Sequence, residues 1–466
     1  MRTLPERYSR ALVHGLGRFG GNREAIRFLH RRGVRVRVCD RSAGADLDES
    51  RRFLANLRDV DWQLGREDPA LLDGVDLLVV NPAVPDEHPL LAAARARGIE
   101  ITQEINLFLD SYPGKVIGVT GTNGKSTTSV LLHGALARGG VPALLGGNIG
   151  QSLLSDAAHW RRDQVAVVEL SSFQLQRVDL DRHRFHGAVY TAVGRDHLDR
   201  HGTLEAYRAA KSRLAAMAES FVVHPLADPV AAAFASSAKR YPYTTERPAP
   251  GSTGIENGWL TARLGERGRA RIVHQDAMVL LGEFQRENAM AAATAALLCG
   301  ADPRGVGLAL ALARPLPFRL QYAGSIGGVP VFDNGVSTEV ESTKSALSAL
   351  GKGVRWVGGG KSKDGDYASV AKAVAPHLAS AHLFGAAASP LSAELGDAVP
   401  WTRHETLREA LDAALEAARP GEKILFSPAF ASFDQYPNFR ARALEFRAWL
   451  EERRGGRSPR ASAAVG

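Results

Sequence analysis

The run Val116-Ile117-Gly118-Val119-Thr120-Gly121-Thr122-Asn123-Gly124-Lys125-Ser126-Thr127-Thr128 confines this chain to a small set of architectures. An apolar strand feeds a glycine-rich turn, and a Lys and a hydroxyl residue then open a helix that continues through Val130 to Ala137. Turn N–H groups and the positive end of the helix favour anionic oxygens, the Lys adds a point charge, and the hydroxyl can reach Mg²⁺. The general nucleotide-loop spacing is imperfectly met: its first Gly falls at Val119, and Gly118 stands one residue early. Strand context and Gly124-Lys125-Ser126 still agree on a phosphate cradle, with a merely structural glycine turn as the alternative. Such a strand–loop–helix unit belongs to an α/β fold.

The 466 residues, 45% of them hydrophobic, suffice for about two to four domains with their own cores. The net charge of +8 is spread along the chain, apart from Arg453, Arg454, Arg457 and Arg460. Neither zinc-finger spacing nor aromatic–basic interleaving accompanies it, so a small anionic substrate is expected rather than nucleic acid. Cys39 and Cys299, the only cysteines, read as buried thiols of a reducing compartment. The chain begins without the apolar stretch of a signal peptide, and no segment approaches the ~20 apolar residues of a membrane span. A cytoplasmic protein is expected.

Three α/β units follow one another. The first opens with Ala11-Leu12-Val13-His14 and Gly15-Leu16-Gly17-Arg18-Phe19-Gly20, then a helix through Ile26, Phe28 and Leu29 and a strand ending at Asp40. On its own this Gly-x-Gly-x-x-Gly turn suggests a dinucleotide site, with Asp40 either a ribose ligand or a solvated strand end. The second unit starts at the phosphate loop, and its later strands deliver Glu169 and Thr191. In open α/β sheets ligands lie beyond the carboxyl ends of strands, although a solvated strand-end acid remains the alternative for Glu169. Residues 221–280 read as an irregular, β-rich excursion, and Pro315 and Pro317 mark the exit. The third unit has strands ending at Asp333, at Gly358-Gly359-Gly360 and at Ser427-Pro428. The expected organisation is three domains in series: a Rossmann-like domain over 1–105, a P-loop-type ATPase with a mostly parallel sheet over 106–315, and a second Rossmann-like domain over 316–452. Residues 453–466 are expected to be a disordered tail.

Gly121-Thr122-Asn123-Gly124-Lys125-Ser126-Thr127, Glu169-Leu170-Ser171-Ser172-Phe173-Gln174-Leu175, Asp196-His197-Leu198-Asp199-Arg200 and Ser427-Pro428-Ala429-Phe430-Ala431-Ser432-Phe433-Asp434 together resemble the Mur ligases. Within them they look most like the branch that adds D-glutamate to UDP-N-acetylmuramoyl-L-alanine in peptidoglycan synthesis. The match runs in order from about residue 10 to 450. It implies an N-terminal domain for the UDP moiety, a central ATPase and a C-terminal domain for the amino acid, in a protein expected to be monomeric. The glycine turn is thereby reassigned from a dinucleotide to uridine diphosphate, with Gly17, Arg18, Phe19, Asp40 and Arg41 as its contacts.

The resemblance also implies ATP, two Mg²⁺ ions and an acyl phosphate intermediate. Gly121 to Thr127 would cradle the phosphates, and Asn288, Arg319 and Asp333 would complete the nucleotide site. Catalysis falls to Lys125, Glu169, His197 and Lys211; Ser126, Glu169, His197 and a carbamylated Lys211 are the metal ligands. From the residues alone, His197 is a loop histidine and Lys211 a helix-surface lysine. Asn148, Ser171 and Gln174 match contacts to the muramoyl-alanine part, and Lys363, Ser427 and Phe433 match contacts to D-glutamate.

The chain departs from the family pattern in four places. Gly282-Glu283-Phe284-Gln285-Arg286-Glu287-Asn288 keeps only the first Gly and last Asn of a Gly-x-His-Asn-x-x-Asn run. Pro317-Phe318-Arg319-Leu320-Gln321 lacks the usual His and Glu, Val336 replaces a Lys, and Ala192 replaces an Asn. The phosphoryl and metal machinery is retained while the adenine pocket is altered. Alternatives are a Mur-type or folate polyglutamate-forming ligase with another amino acid or acceptor and, more remotely, a non-enzymatic anion-binding protein.

Overall fold

A computed structural model describes residues 7–16, 22–265, 268–362 and 365–454. Gly17, Arg18, Phe19, Lys363 and most of the expected tail (455–466) lie outside the described residues. Three sheets follow in chain order. The first is fully parallel, with strands β1 (Arg10–His14), β2 (Arg35–Asp40), β3 (Asp61–Leu64), β4 (Leu77–Val80) and β5 (Glu100–Thr102) in the order β3-β2-β1-β4-β5. Its strands are near-continuous apolar runs, such as the fully buried Leu77–Val80, because helices cover both faces of a parallel sheet.

The second sheet has nine strands. It comprises β6 (Lys115–Thr120), β7 (Ala143–Gly147), β8 (Val165–Glu169), β9 (Phe185–Tyr190), β10 (Ala218–Pro225), β11 (Lys239–Tyr243), β12 (Thr253–Glu256), β13 (Trp259–Ala262) and β14 (Ala270–His274). The order is β14-β13-β12-β11-β10-β9-β6-β8-β7, parallel from β7 through β12 and antiparallel across β12-β13-β14. The β-rich excursion expected after residue 221 is thus the far edge of this sheet. The third sheet joins β15 (Gln321–Ile326), β16 (Val329–Asp333), β17 (Val354–Gly359), β18 (Leu378–Phe384), β19 (Trp401–His404) and β20 (Lys423–Ala429). Its order is β15-β16-β20-β17-β18-β19, with only β15 antiparallel.

By compactness the chain divides into two units: residues up to Ala277 with Glu287–Ala311, and Met278–Arg286 with the chain from Leu312 on. The boundary expected at 105 falls inside the helix Glu104–Ser111. Hydrophobic burial is the reason. Phe108 stacks on Tyr112, Trp160 packs edge-on against both, and Trp160 also lies 6.1 Å from Phe28 of the first sheet's covering helix. One apolar core therefore runs from Val13 and Val38 to Ala166 and Tyr190. The expected exit near 315 also needs adjustment, because Phe284 packs against the core around Leu320, Trp356 and Leu425.

His14, Glu67 and His88 bring three donor atoms within 4.8 Å at the carboxyl end of the first sheet. Leu90 N–H donates to His88 Nδ1, which leaves the proton on Nε2, 3.2 Å from Glu67. His14 Nδ1 is buried without a partner, and its Nε2 lies 2.9 Å from the same carboxylate. The group is thus a carboxylate bracketed by two imidazole rings. Burial pushes His14 below its usual 6.5. Burial alone would raise Glu67, but the hydrogen bonds from His14 and His88 outweigh it and hold it below 4.5. Both shifts mean that the unfolded chain binds more protons, so this stability is present above the unfolded pKa values and is lost on acidification. We expect the thermal midpoint to fall as pH drops below about 6.5. His14→Gln should flatten the upper part of that decline in a calorimetric series from pH 8 to 4; an unchanged pH profile would remove the buried histidine as its source.

Candidate active site

The site is built where β6, β8 and β9 end side by side. β6 leads into Gly121 and Gly124, with φ of +152° and +85°, and Gly124 caps the helix α1 (Lys125–Arg138). A Cβ on Gly121 would lie 1.7 Å from Thr191 Oγ1, and one on Gly124 would lie 2.4 Å from Asn288 Oδ1. Glycine is required at both positions by space as well as by backbone conformation. The loop's back wall is thus Thr191 on one side and Asn288 on the other. Thr191 donates to Asn123 O, Thr122 N–H donates to Ala192 O at 2.8 Å, and Thr128 donates to Asn288 Oδ1 at 3.2 Å. The N–H groups of the first turn of α1 have no acceptors within the helix, and the helix dipole adds positive potential there.

Two lysines converge on one backbone oxygen. Lys125 Nζ donates to Gly121 O at 3.0 Å and to Thr122 O at 2.7 Å. Lys211 projects from helix α2 (Leu204–Ala216) and donates to the same Gly121 O at 2.8 Å. Far from lying on a helix surface, Lys211 is only 1% exposed, with its ammonium 4.7 Å from the centre of the Tyr207 ring. Burial first, and the Lys125 charge second, drive its pKa well below the usual lysine range, against the opposing pull of Asp196 and Glu169. The i,i+4 spacing that puts Tyr207 beside Lys211 also brings the Tyr207 hydroxyl within 2.9 Å of Thr122 Oγ1. Thr191 and Tyr207 are site residues that the motifs did not single out; the spacing from Lys211 is the signal that points to Tyr207.

Glu169, at the end of β8, is 1% exposed. Its Oε1 accepts from Asn148 Nδ2 at 3.0 Å, while its Oε2 is buried with no hydrogen-bond partner. Gly147 fits because a Cβ there would lie 2.4 Å from Glu169 O, which also accepts Asn148 N–H at 2.9 Å. An unsatisfied buried carboxylate oxygen is costly, and a hard divalent cation is the partner that suits it. The donor set near the loop, comprising Glu169 and the Ser126 hydroxyl, fits Mg²⁺.

His197 adopts a left-handed backbone (φ +53°), and its Nε2 lies 3.3 Å from Asp196 Oδ2. Its ring is 5.0 Å from Phe173, which also stacks on His201 and carries the Arg200 guanidinium at 4.2 Å. Ser171 and Gln174 bond to each other in a capping box that starts the helix α3 (Ser172–Gln176)… a short element lying between β8 and β9. Asp40 accepts Leu16 N–H and Ser42 N–H, both at 2.9 Å, so its carboxylate shapes the start of the glycine turn, and Arg41 beside it is exposed.

The expected residues of the second unit differ in their surroundings. Ser427 is fully buried, and its hydroxyl is engaged by Asn334 Nδ2 at 2.9 Å and Thr343 Oγ1 at 2.8 Å. Asp333 is equally buried, with Arg447 Nε at 2.6 Å on one oxygen and Gly335 N–H at 2.9 Å on the other, which makes it an internal anchor. Arg319 lies between Phe318 and Leu320, both at positive φ. Phe433 is 71% exposed. Lys361, which the motifs passed over, pairs through its backbone with Ala431 (N–H to O, 2.8 Å) and presents an exposed side chain. Behind it the buried Arg442 donates to Phe430 O, Gly359 O and Ser337 O, and burial lowers its guanidinium to about 10.

Residues 119–296 match the model of the Mur ligase middle domain, and residues 9–103 that of the MurD-like N-terminal domain of Mur ligases. A UDP-N-acetylmuramoylalanine–D-glutamate ligase of Geotalea daltonii is 34% identical over 96% of this chain and 98% of its own length. One of Solibacter usitatus is 34% identical over 94% and 96%. Among solved structures, a pseudomurein peptide ligase type C from Methanothermus fervidus aligns with a TM-score of 0.61 at 17% identity, over 95% of this chain and 99% of that one. The UDP-N-acetylmuramate-alanine ligase from Thermotoga maritima aligns at 0.60 and 18%, over 96% and 99%. At such identities the structural likeness speaks to fold alone.

Glu169→Gln should fold normally, because the amide oxygen can still accept from Asn148. We expect the Mg²⁺ concentration that half-saturates nucleotide turnover to rise more than about tenfold. Magnesium titration of ATP turnover checks this, and an unchanged half-saturation would release Glu169 from metal binding.

Proposed function

The chain belongs to the Mur ligase family, and on that footing we infer that it is an ATP-dependent ligase joining D-glutamate to UDP-N-acetylmuramoyl-L-alanine in peptidoglycan precursor synthesis. The observation that carries the chemistry is the convergence of Lys125 and Lys211 on Gly121 O beside the unpartnered oxygen of Glu169. A carboxylate cannot expel oxide, so an amine attacks it only after activation. The terminal alanine carboxylate attacks the γ-phosphorus of ATP, ADP leaves, and an acyl phosphate forms. The amine of D-glutamate then adds to the acyl carbon, loses a proton, and expels inorganic phosphate as the amide forms.

In this reading Lys125 and the N–H groups from Gly121 to Thr127 stabilise the phosphoryl oxygens in transit, where preorganised charge is worth most. Mg²⁺, when bound, would neutralise phosphate charge and polarise the phosphoryl group. Glu169 and Ser126 would hold one ion, with His197 and Lys211 near a second. Asn288 borders the nucleotide loop. Asn148, whose amide already holds Glu169, would orient the alanine end of the acceptor, and Ser171 and Gln174 would shape the wall beside it. The N-terminal sheet would take the UDP group at the glycine turn, and the third sheet the amino acid, with Lys363, Ser427 and Phe433 as the contacts the family pattern implies.

Lys211 is the residue whose state matters most. Burial pushes the Lys211 amine well below the usual lysine range, which favours its neutral, nucleophilic form. Its nitrogen can add to the carbon of CO₂ with release of one proton, giving a carbamate that carries negative charge. That change would turn the repulsion between two lysines at Gly121 into attraction and supply an oxygen ligand for a cation.

Two experiments test this reading. Phosphate release from ATP with UDP-N-acetylmuramoyl-L-alanine should depend on D-glutamate and stay near background with L-glutamate, L-lysine or meso-diaminopimelate. Turnover with a different amino acid alone would reassign the substrate within the family, and no turnover with any would end the ligase reading. For Lys211, ¹³C-bicarbonate should give a carbamate resonance in the wild type that is missing from Lys211→Met. That variant should be at least as stable, since it removes an amine that burial destabilises, yet be inactive. A wild type lacking the resonance while fully active would exclude the carbamate.

A further inference from the structure

We propose that Arg177 is a positioning residue that holds the two ends of the acceptor's site, the glycine turn and the Glu169 centre, in fixed register. The inference rests on the reading of the acceptor given above. Arg177 caps the carboxyl end of α3, the short helix that starts just beyond Glu169 and Leu170. Its guanidinium reaches into the segment that follows β4. Nε and Nη2 both donate to Asp86 Oδ1, at 3.0 and 2.7 Å; Nη2 also donates to Val84 O, and Nη1 donates to Asn81 O at 3.3 Å.

Asn81 in turn forms a wall of the glycine turn. Its N–H donates to His14 O at 3.0 Å, its Nδ2 donates to Gly15 O at 3.2 Å, and a Cβ on Gly15 would lie 3.0 Å from its own Cβ. The backbone around Arg177 is pinned from the other side as well: Asn106 Nδ2 donates to Arg177 O at 2.8 Å, and Gln103 Nε2 donates to Gln174 O at 2.7 Å. One planar guanidinium therefore links the segment that follows Glu169 to the segment whose Asn81 packs against Gly15, where the glycine turn begins.

The consequence follows from bivalency. The acceptor has a diphosphate head and a carboxylate tail, so once the head binds, the tail binds at an effective concentration set by how well the two subsites are registered. Loosening Arg177 lowers that effective concentration without removing a group from either subsite. An exposed ion pair of merely structural use would not discriminate between ligands in this way.

Calorimetric binding of UDP and of UDP-N-acetylmuramoyl-L-alanine to wild type, Arg177→Ala, Arg177→Lys and Asp86→Ala tests the proposal. The wild type should bind the full acceptor at least about tenfold more tightly than UDP. Arg177→Ala and Asp86→Ala should lose most of that advantage, raise KM for the acceptor and leave both UDP affinity and KM for ATP unchanged. Arg177→Lys should fall between, because it keeps the charge but not the fork. Full retention of the advantage in Arg177→Ala and Asp86→Ala overturns the inference alone. Loss of UDP affinity along with it also overturns the inference, since the role would then be structural. A wild type with no advantage over UDP overturns the reading of the acceptor site and takes this inference with it.

Discussion

Gly121 O is the point on which the site depends. Two lysine nitrogens donate to that one oxygen, from opposite directions in the chain. In a buried setting two ammonium groups sharing an acceptor repel strongly, because little water screens them. Burial eases the conflict by disfavouring charge on one of them: Lys211 lies fully inside, where desolvation acts on it before any neighbour does. Lys125 sits at the mouth of the loop, where an anion can compensate it. The asymmetry in burial thus gives two identical side chains different settings, one partly exposed at the loop and one enclosed.

Strand register brings these groups together. β6 pairs with β8 so that Val119 lies opposite Glu169, and with β9 so that Thr120 lies opposite Tyr190. Loop, carboxylate and Thr191 consequently leave the sheet at one level. Glycines then remove the obstacles to close approach, at Gly121 against Thr191, at Gly124 against Asn288, and at Gly147 against the backbone of Glu169. A site this dense is possible because parallel strands end in step and because three positions carry no Cβ.

How much of this could be read from the sequence depends on how local each signal is. The loop from Gly121 to Thr127 and the strand-end Glu169 were legible, since both are set by residues adjacent in the chain. Lys211 was legible only through family resemblance, because the helix around it mixes Arg, Ala and Lys, and which face is buried is decided by β6 and β9. In the third sheet the bonding of Ser427 was not legible. A serine at the end of an apolar strand looks like a ligand, yet Asn334 and Thr343 from distant segments occupy its hydroxyl. The motifs singled out Lys363, which lies outside the described residues, and passed over Lys361, whose pairing with Ala431 places it beside the chain that returns from β20. The aromatic packing around Trp160, which ties the first two sheets into one core, is invisible to composition.

The altered motifs of the second unit make sense when read with Arg447. Asp333 is buried deeply enough that desolvation raises its pKa, and the Arg447 charge is what opposes that rise. The same guanidinium donates to the amide oxygen of Gln321, where the family pattern has Glu. A second carboxylate at that position would bring two negative charges onto one arginine in a poorly solvated setting; the neutral amide accepts the hydrogen bond without adding charge. One arginine from the C-terminal helix (Phe439–Arg453) thus carries the charge balance at Asp333, and Gln321 accepts from it without adding charge.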